Sequence, residues 1–260
     1  MTDRELTTED RLLNGRLLVR QPARGHRAGT DAVLLAAAVQ ADSGQTIADF
    51  GAGVGSVGLM VAARCPDCRL TLVEIDGFLA ELARQNVSAN HVLADVVEAN
   101  VETANLAPGS FDHVAMNPPF YPPAAKRSPD PRTARARIGE EGLVEAWIET
   151  AHRVLRPGGV LTLIHRADAL AGILTAMAGF GSLVVAPVQP HANASASRVI
   201  IAGVKNAKGP LVLERPLILN TMENLFTPEA RAIHQGAAFE RSWPAPRRQR
   251  RLRPSRYQPR

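Results

Sequence analysis

The order of apolar runs predicts an α/β fold in which a parallel sheet is covered by helices on both faces. From about residue 46 to residue 204, short apolar runs alternate with segments of helical spacing. The first of these runs ends in a glycine-rich turn that leads at once into a helical segment. With 260 residues and 45% hydrophobic content, the chain can also bury a full core around one such sheet.

Seven strands are expected, at Thr46–Phe50, Leu70–Glu74, His91–Ala94, His113–Met116, Val160–His165, Leu183–Val188 and Arg198–Val204. Leu, Ala, Val and Ile recur at helical spacing in Ser56–Arg64, Gly77–Asn90, Glu140–Leu155 and Ala167–Met177. Pro157-Gly158-Gly159 is expected to stop the third of these helices and turn the chain into the next strand. Ahead of the core, Leu17-Leu18-Val19 reads as a short strand, with Asp31 as N-cap of a helix over Ala32–Val39. Pro210–Leu219 alternates weakly and reads as extended. The organisation expected is an N-terminal segment (1–45), a core (46–205), an extension packed on it (206–240) and a basic, flexible tail (241–260).

A net charge of +5 conceals a strong local asymmetry. Lys126, Arg127, Arg132, Arg135 and Arg137 face Asp130 alone, and seven arginines from Arg247 to Arg260 face no acid. Without these twelve bases and one acid, 18 bases and 24 acids remain, a net charge of −6. Such confinement is the pattern expected of a polyanion-binding footprint on an otherwise acidic protein. No apolar run approaches the roughly 18 residues needed to cross a bilayer, and the polar start Met1-Thr2-Asp3-Arg4-Glu5 is unlike a leader, so a cytoplasmic location is expected. Cys65 and Cys68 lack the two further ligands a zinc site needs, so they read as an incidental pair in a helix-to-strand turn and no metal is expected.

The chemistry concentrates at strand ends. Asp49-Phe50-Gly51-Ala52-Gly53-Val54-Gly55 closes the first strand, and its glycines allow close approach of a nucleoside to a helix start. Gly53, Gly55 and Gly58 also satisfy a dinucleotide fingerprint, so the turn by itself leaves the cofactor open. Glu74, ending the second strand, can accept from both ribose hydroxyls of either cofactor, and Asp95, ending the third, can accept from an adenine amino group. The fourth strand runs into Asn117-Pro118-Pro119-Phe120-Tyr121. Two prolines remove two amide donors, leaving carbonyls beside the Asn side chain in an acceptor-rich site. If the Asn117 oxygen and the Pro118 carbonyl each accept an N–H, a planar amino nitrogen can pyramidalise and aim its lone pair at an electrophile, with Phe120 stacked on its ring.

Asp49 to Gly55, Glu74 and Asn117 to Phe120 resemble the Rossmann-like class I amino-methyltransferases with an Asn/Asp-Pro-Pro-aromatic motif. Gly25-His26-Arg27-Ala28-Gly29-Thr30-Asp31 ahead of the glycine turn is similar to the group that methylates adenine N6 in bacterial valine tRNA, and the resemblance spans about residues 12 to 230. It implies a seven-stranded, mostly parallel sheet with an antiparallel last strand, and S-adenosyl-L-methionine as cofactor. Asp49, Gly51, Gly53, Glu74, Asp95 and Asn117 would surround that cofactor, and Arg27, Thr30 and Asp31 would help cover it. Asn117, Pro118 and Phe120 would be catalytic, with Tyr121, Lys126 and Arg127 meeting an RNA substrate, in the first place a tRNA. Guanine N2 in rRNA, a protein glutamine amide and a small acceptor fit the same motif, and a non-catalytic RNA-binding module fits the fold. A metal-dependent O-methyltransferase fits less well, because Asp112 stands at the wrong end of the fourth strand to join a carboxylate cluster.

Overall fold

A computed structural model describes residues 7–24, 27–119 and 142–246. Strands β1 (Thr7–Leu12) and β2 (Leu17–Pro22) form an antiparallel hairpin. The main sheet follows, built from β3 (Thr46–Phe50), β4 (Arg69–Glu74), β5 (Ala94–Glu98), β6 (Phe111–Met116), β7 (Leu155–Arg166), β8 (Phe180–Gln189) and β9 (Arg198–Lys205). Two-residue strands β10 (Val212–Leu213) and β11 (Leu217–Ile218) add to the edge of β8. The order is β10-β8-β9-β7-β6-β3-β4-β5, and β9 runs antiparallel to both of its neighbours. This is the Rossmann-like class I methyltransferase arrangement expected from the motifs.

Alternation along the strands explains the two-sided core. Ile47 of β3 and Ala115 of β6 face one apolar cluster with helices α1 (Thr30–Ala38), α2 (Ser56–Ala62) and α3 (Gly77–Ala89). Ala48 and Phe50 of β3, and Val114 and Met116 of β6, face the other, covered by α4 (Leu143–Val154) and α5 (Leu170–Ala176). Both faces exclude water, so central strands read as nearly continuous apolar runs rather than half-polar ones. Helix α6 (Pro228–His234) starts at the Thr227 cap, whose hydroxyl accepts from the Ala230 amide, and packs near α1.

Four local expectations are corrected. The third strand lies at Ala94–Glu98 rather than His91–Ala94, because α3 and its turn continue through His91, which takes φ +52°. Helix α1 starts at Thr30 with Gly29 as its cap, so Asp31 sits in the first turn, where a carboxylate favours the helix dipole. Pro157-Gly158-Gly159 does not separate helix from strand: β7 already begins at Leu155, and these residues bulge between the Phe111–Leu155 and His113–Val160 pairs. Cys65 and Cys68, read as incidental, are joined by a disulfide across the turn that leaves α2.

Leu161 lies fully buried at the sheet centre, between Val114 of β6 and Gly203 of β9. Leu161→Ala is expected to cost about 2–5 kcal/mol through the cavity it leaves. The check is a lower urea midpoint with an unchanged slope.

Candidate active site

Parallel strands that end together present their next residues to one space. The carboxyl ends of β3, β4 and β6 place Asp49, Gly51, Gly53, Glu74 and Asn117 on the wall of a cavity of about 650 Å³. The volume falls within the roughly 300–1,000 Å³ of small-molecule sites. Arg27 to Ala32 form a further wall.

The glycine turn is shaped by backbone bonds. The amides of Gly51 and Ala52 both donate to the Val73 carbonyl, at 2.9 and 3.0 Å, drawing the turn over the end of β4. Gly51 has φ +66°, and a Cβ there would meet the Trp147 ring at 2.5 Å, so both conformation and space exclude a side chain. Glu74 fastens the next step: Oε2 accepts from the Gly53 amide at 2.7 Å and Oε1 from the Asp76 amide at 2.9 Å. Each carboxylate oxygen retains a second acceptor position for a hydroxyl on the cavity side.

Asn117 follows β6 directly. Its Oδ1 is buried and has no hydrogen-bond partner among the described residues, although the residue lines the cavity. A buried amide oxygen without a donor is costly, and a ligand N–H would satisfy it. Two carboxylates on the wall, Asp49 and Glu74, suit a cationic ligand such as S-adenosyl-L-methionine, whose sulfonium and ammonium outnumber its single carboxylate.

Comparison with known proteins agrees with this geometry. Residues 27–177 match the methyltransferase small domain. The chain belongs to that family. The cofactor of this methyltransferase-family chain is S-adenosyl-L-methionine. It is 36% identical over 155 residues to a tRNA1(Val) (adenine(37)-N6)-methyltransferase of Porphyromonas gingivalis, an alignment covering 55% of this chain and 60% of that one. A protein of the same name from Aeromonas hydrophila is 33% identical, over 53% and 58%. The chain thus spans about 60% of the length of these relatives. Among solved structures, a predicted O-methyltransferase of Agrobacterium tumefaciens is 32% identical, with a TM-score of 0.69 over 82% of this chain and 99% of the other.

Most residues singled out from the sequence fall on the wall of this cavity, and one does not. Arg27, Thr30, Asp31, Asp49, Gly51, Gly53, Glu74, Asn117 and Pro118 all line the cavity. Arg27 is anchored outward, donating to Asp10 at 2.7 Å and to the Pro22 carbonyl at 3.0 Å, while Asp31 accepts from Arg198 at 3.0 Å. Asp95 is corrected: it lies near the amino end of β5, exposed and off the cavity wall. Asn100, two residues past β5, occupies the wall instead, and the shifted strand boundary is what hid it. Leu143 and Trp147 were also missed, although their four-residue spacing puts both on one face of α4. Phe120, Tyr121, Lys126 and Arg127 lie outside the described residues.

Burial pushes the Asp49 carboxyl up to about 7 from an ordinary 3.8, and the Glu74 charge adds to the rise against the Gly58 amide that donates to it. A carboxyl raised by folding contributes stability that is fully present below its unfolded value and lost as pH climbs towards 7. Asp49→Asn is therefore expected to be more stabilising, relative to the unsubstituted protein, at pH 7.5 than at pH 4.5. Thermal melts of both ligand-free proteins at the two pH values test this, and an equal difference at both would contradict it.

Proposed function

We propose that this chain transfers the methyl group of S-adenosyl-L-methionine to an exocyclic amino nitrogen, adenine N6 of a tRNA. The observation that carries the reading is the buried, unpartnered Asn117 Oδ1 on the cavity wall, at the start of an Asn-Pro-Pro segment. The names of the two tRNA1(Val) adenine-N6 relatives support adenine and tRNA as the acceptor.

Bound in the cavity, the cofactor supplies an electrophilic methyl on a sulfonium. Glu74, held by two backbone amides, accepts from the ribose hydroxyls, and Asp49 offsets the positive charge. Asn100 takes the position first given to Asp95 and meets the adenine edge. Arg27, Thr30 and Asp31 cover the cofactor, and Gly51 and Gly53 let it approach the backbone. Trp147, edge-on to Phe50 with ring centroids 6.5 Å apart, lends the cavity an apolar wall.

Asn117 Oδ1 and the Pro118 carbonyl each accept one N–H of the target amino group, and Phe120 stacks on its ring. These bonds strengthen as the nitrogen pyramidalises, so they favour the transition state over the ground state. With the cofactor bound, the new C–N bond would replace the methyl's C–S bond and the proton made acidic on nitrogen would leave to solvent, so no strong side-chain base would be needed. Tyr121, Lys126 and Arg127 meet the RNA beside the target base.

Oxygen as the acceptor atom is disfavoured by the donors present. The Asp112 carboxylate is spent on Arg156 and the Thr46 amide at the opposite end of β6.

Labelled methyl transfer to total tRNA, followed by nucleoside chromatography, is expected to give N6-methyladenosine; label in another nucleoside would overturn the acceptor. Asn117→Ala is expected to lower kcat by about 100-fold, with cofactor affinity changed far less. Equal losses in kcat and cofactor affinity would remove Asn117 from the transition state. Truncation before Arg247 is expected to weaken tRNA binding and flatten its dependence on salt, since fewer phosphates are neutralised. Filter binding at 50 and 200 mM salt reads both effects.

A further inference from the structure

The β1–β2 hairpin meets α3 through side chains that imitate a strand. Asn86, 2% exposed, accepts from the Arg20 amide at 2.7 Å and donates to the Arg20 carbonyl at 2.8 Å. Four residues later Asn90 repeats the pattern, accepting from the Leu18 amide at 3.0 Å and donating to the Leu18 carbonyl at 2.7 Å. The match is geometric: four residues of helix advance about 6 Å and two residues of strand about 6.7 Å. The two carboxamides thus form a short ladder along the free edge of β2.

The two residues differ in one bond. Asn86 Nδ2 also donates to the Val54 carbonyl at 3.0 Å, inside the glycine turn. Val54 lines the cavity. On the hairpin side, Arg20 is followed by the buried Gln21, whose Oε1 accepts from the Ala28 amide at 2.8 Å and whose Nε2 donates to Asp10 at 2.7 Å. Asp10 in turn holds Arg27, and Arg27 and Ala28 line the opposite wall. One carboxamide therefore touches the glycine turn directly and the covering segment through Arg20 and Gln21. Asn90 reaches neither; its remaining donation goes to the Asn86 carbonyl, at 2.8 Å.

We propose that Asn86 is a positioning residue of the cofactor site, fixing the spacing between the glycine turn and the covering segment 27–32, while Asn90 only attaches the hairpin. The proposal rests on the methyl-transfer reading, because it takes the enclosed ligand to be the methyl donor. Both side-chain N–H donors of Asn86 are used and its oxygen accepts once, so truncation leaves the Arg20 amide and the Arg20 and Val54 carbonyls short of a partner at once.

Calorimetric titration with S-adenosyl-L-homocysteine separates the two roles without requiring turnover. Asn86→Ala is expected to raise Kd about tenfold, and Asn90→Ala by less than about twofold, although both lose thermal stability. Equal shifts in the two variants, or no shift in Asn86→Ala, would overturn the proposal and leave the methyl-transfer reading standing. Failure of the unsubstituted protein to bind would overturn the methyl-transfer reading and the proposal with it. Should Asn86→Ala not fold, hydrogen exchange in the unsubstituted protein decides. The ligand is expected to slow the Arg20 amide more than the Leu18 amide, and equal slowing would refute the assignment.

Discussion

The grip of the Glu74 carboxylate on two backbone amides is the constraint on which the site depends. Gly53 belongs to the turn after β3 and Asp76 to the cap of α3, so one side chain fixes the relation between two successive β-to-α connections. Asp76 passes the constraint on by accepting from the Phe78 and Leu79 amides, which sets the first turn of α3. From α3 the ladder of Asn86 and Asn90 carries it to the hairpin and to the segment covering the cavity. A carboxylate this buried is tolerated because its oxygens are satisfied, and the same satisfaction orients its remaining lone pairs.

Asp49 shows the complementary case. It shares the wall with Glu74 and receives one backbone donor, from Gly58, which is too little to offset its burial. The fold therefore keeps an uncompensated acid beneath the glycine turn. Its cost is reduced by protonation when the cavity lacks a cation, and by the ligand's positive charge when one is bound. On the proposed reading, the acid would be a source of affinity for a cationic ligand, obtained at the expense of ligand-free stability.

How much of this was legible depended on which forces wrote it. Strand β3 and the motifs at the ends of β3, β4 and β6 were readable, because apolar alternation and glycine or proline spacing are local properties. The start of β5 was not: Val92 looks like strand, yet Asn90 and His91 are drawn into the turn after α3, where the Asn90 side chain holds the hairpin as well as the end of its own helix. That displacement of a few residues exchanged Asn100 for Asp95. Asp31 was misread as a cap for a similar reason, since its ion pair with Arg198 joins residues far apart in sequence. The bulge at Pro157–Gly159 reflects register between β6 and β7, which no single segment encodes.

The Asn-Pro-Pro segment is defined by what it lacks. A proline has no amide hydrogen, so neither Pro118 nor Pro119 can satisfy the Asn117 oxygen, and burial keeps water from doing so. On the methyl-transfer reading proposed above, an acceptor with no donor among the described residues is reserved for one carried by the ligand. On that reading it favours a group bearing two N–H bonds over a hydroxyl with one, and it favours that group most when the nitrogen is changing shape. A preference for amino nitrogen would then follow from the lack of donors to Asn117 among the described residues, and a donor introduced there would reduce it even if the fold were unchanged.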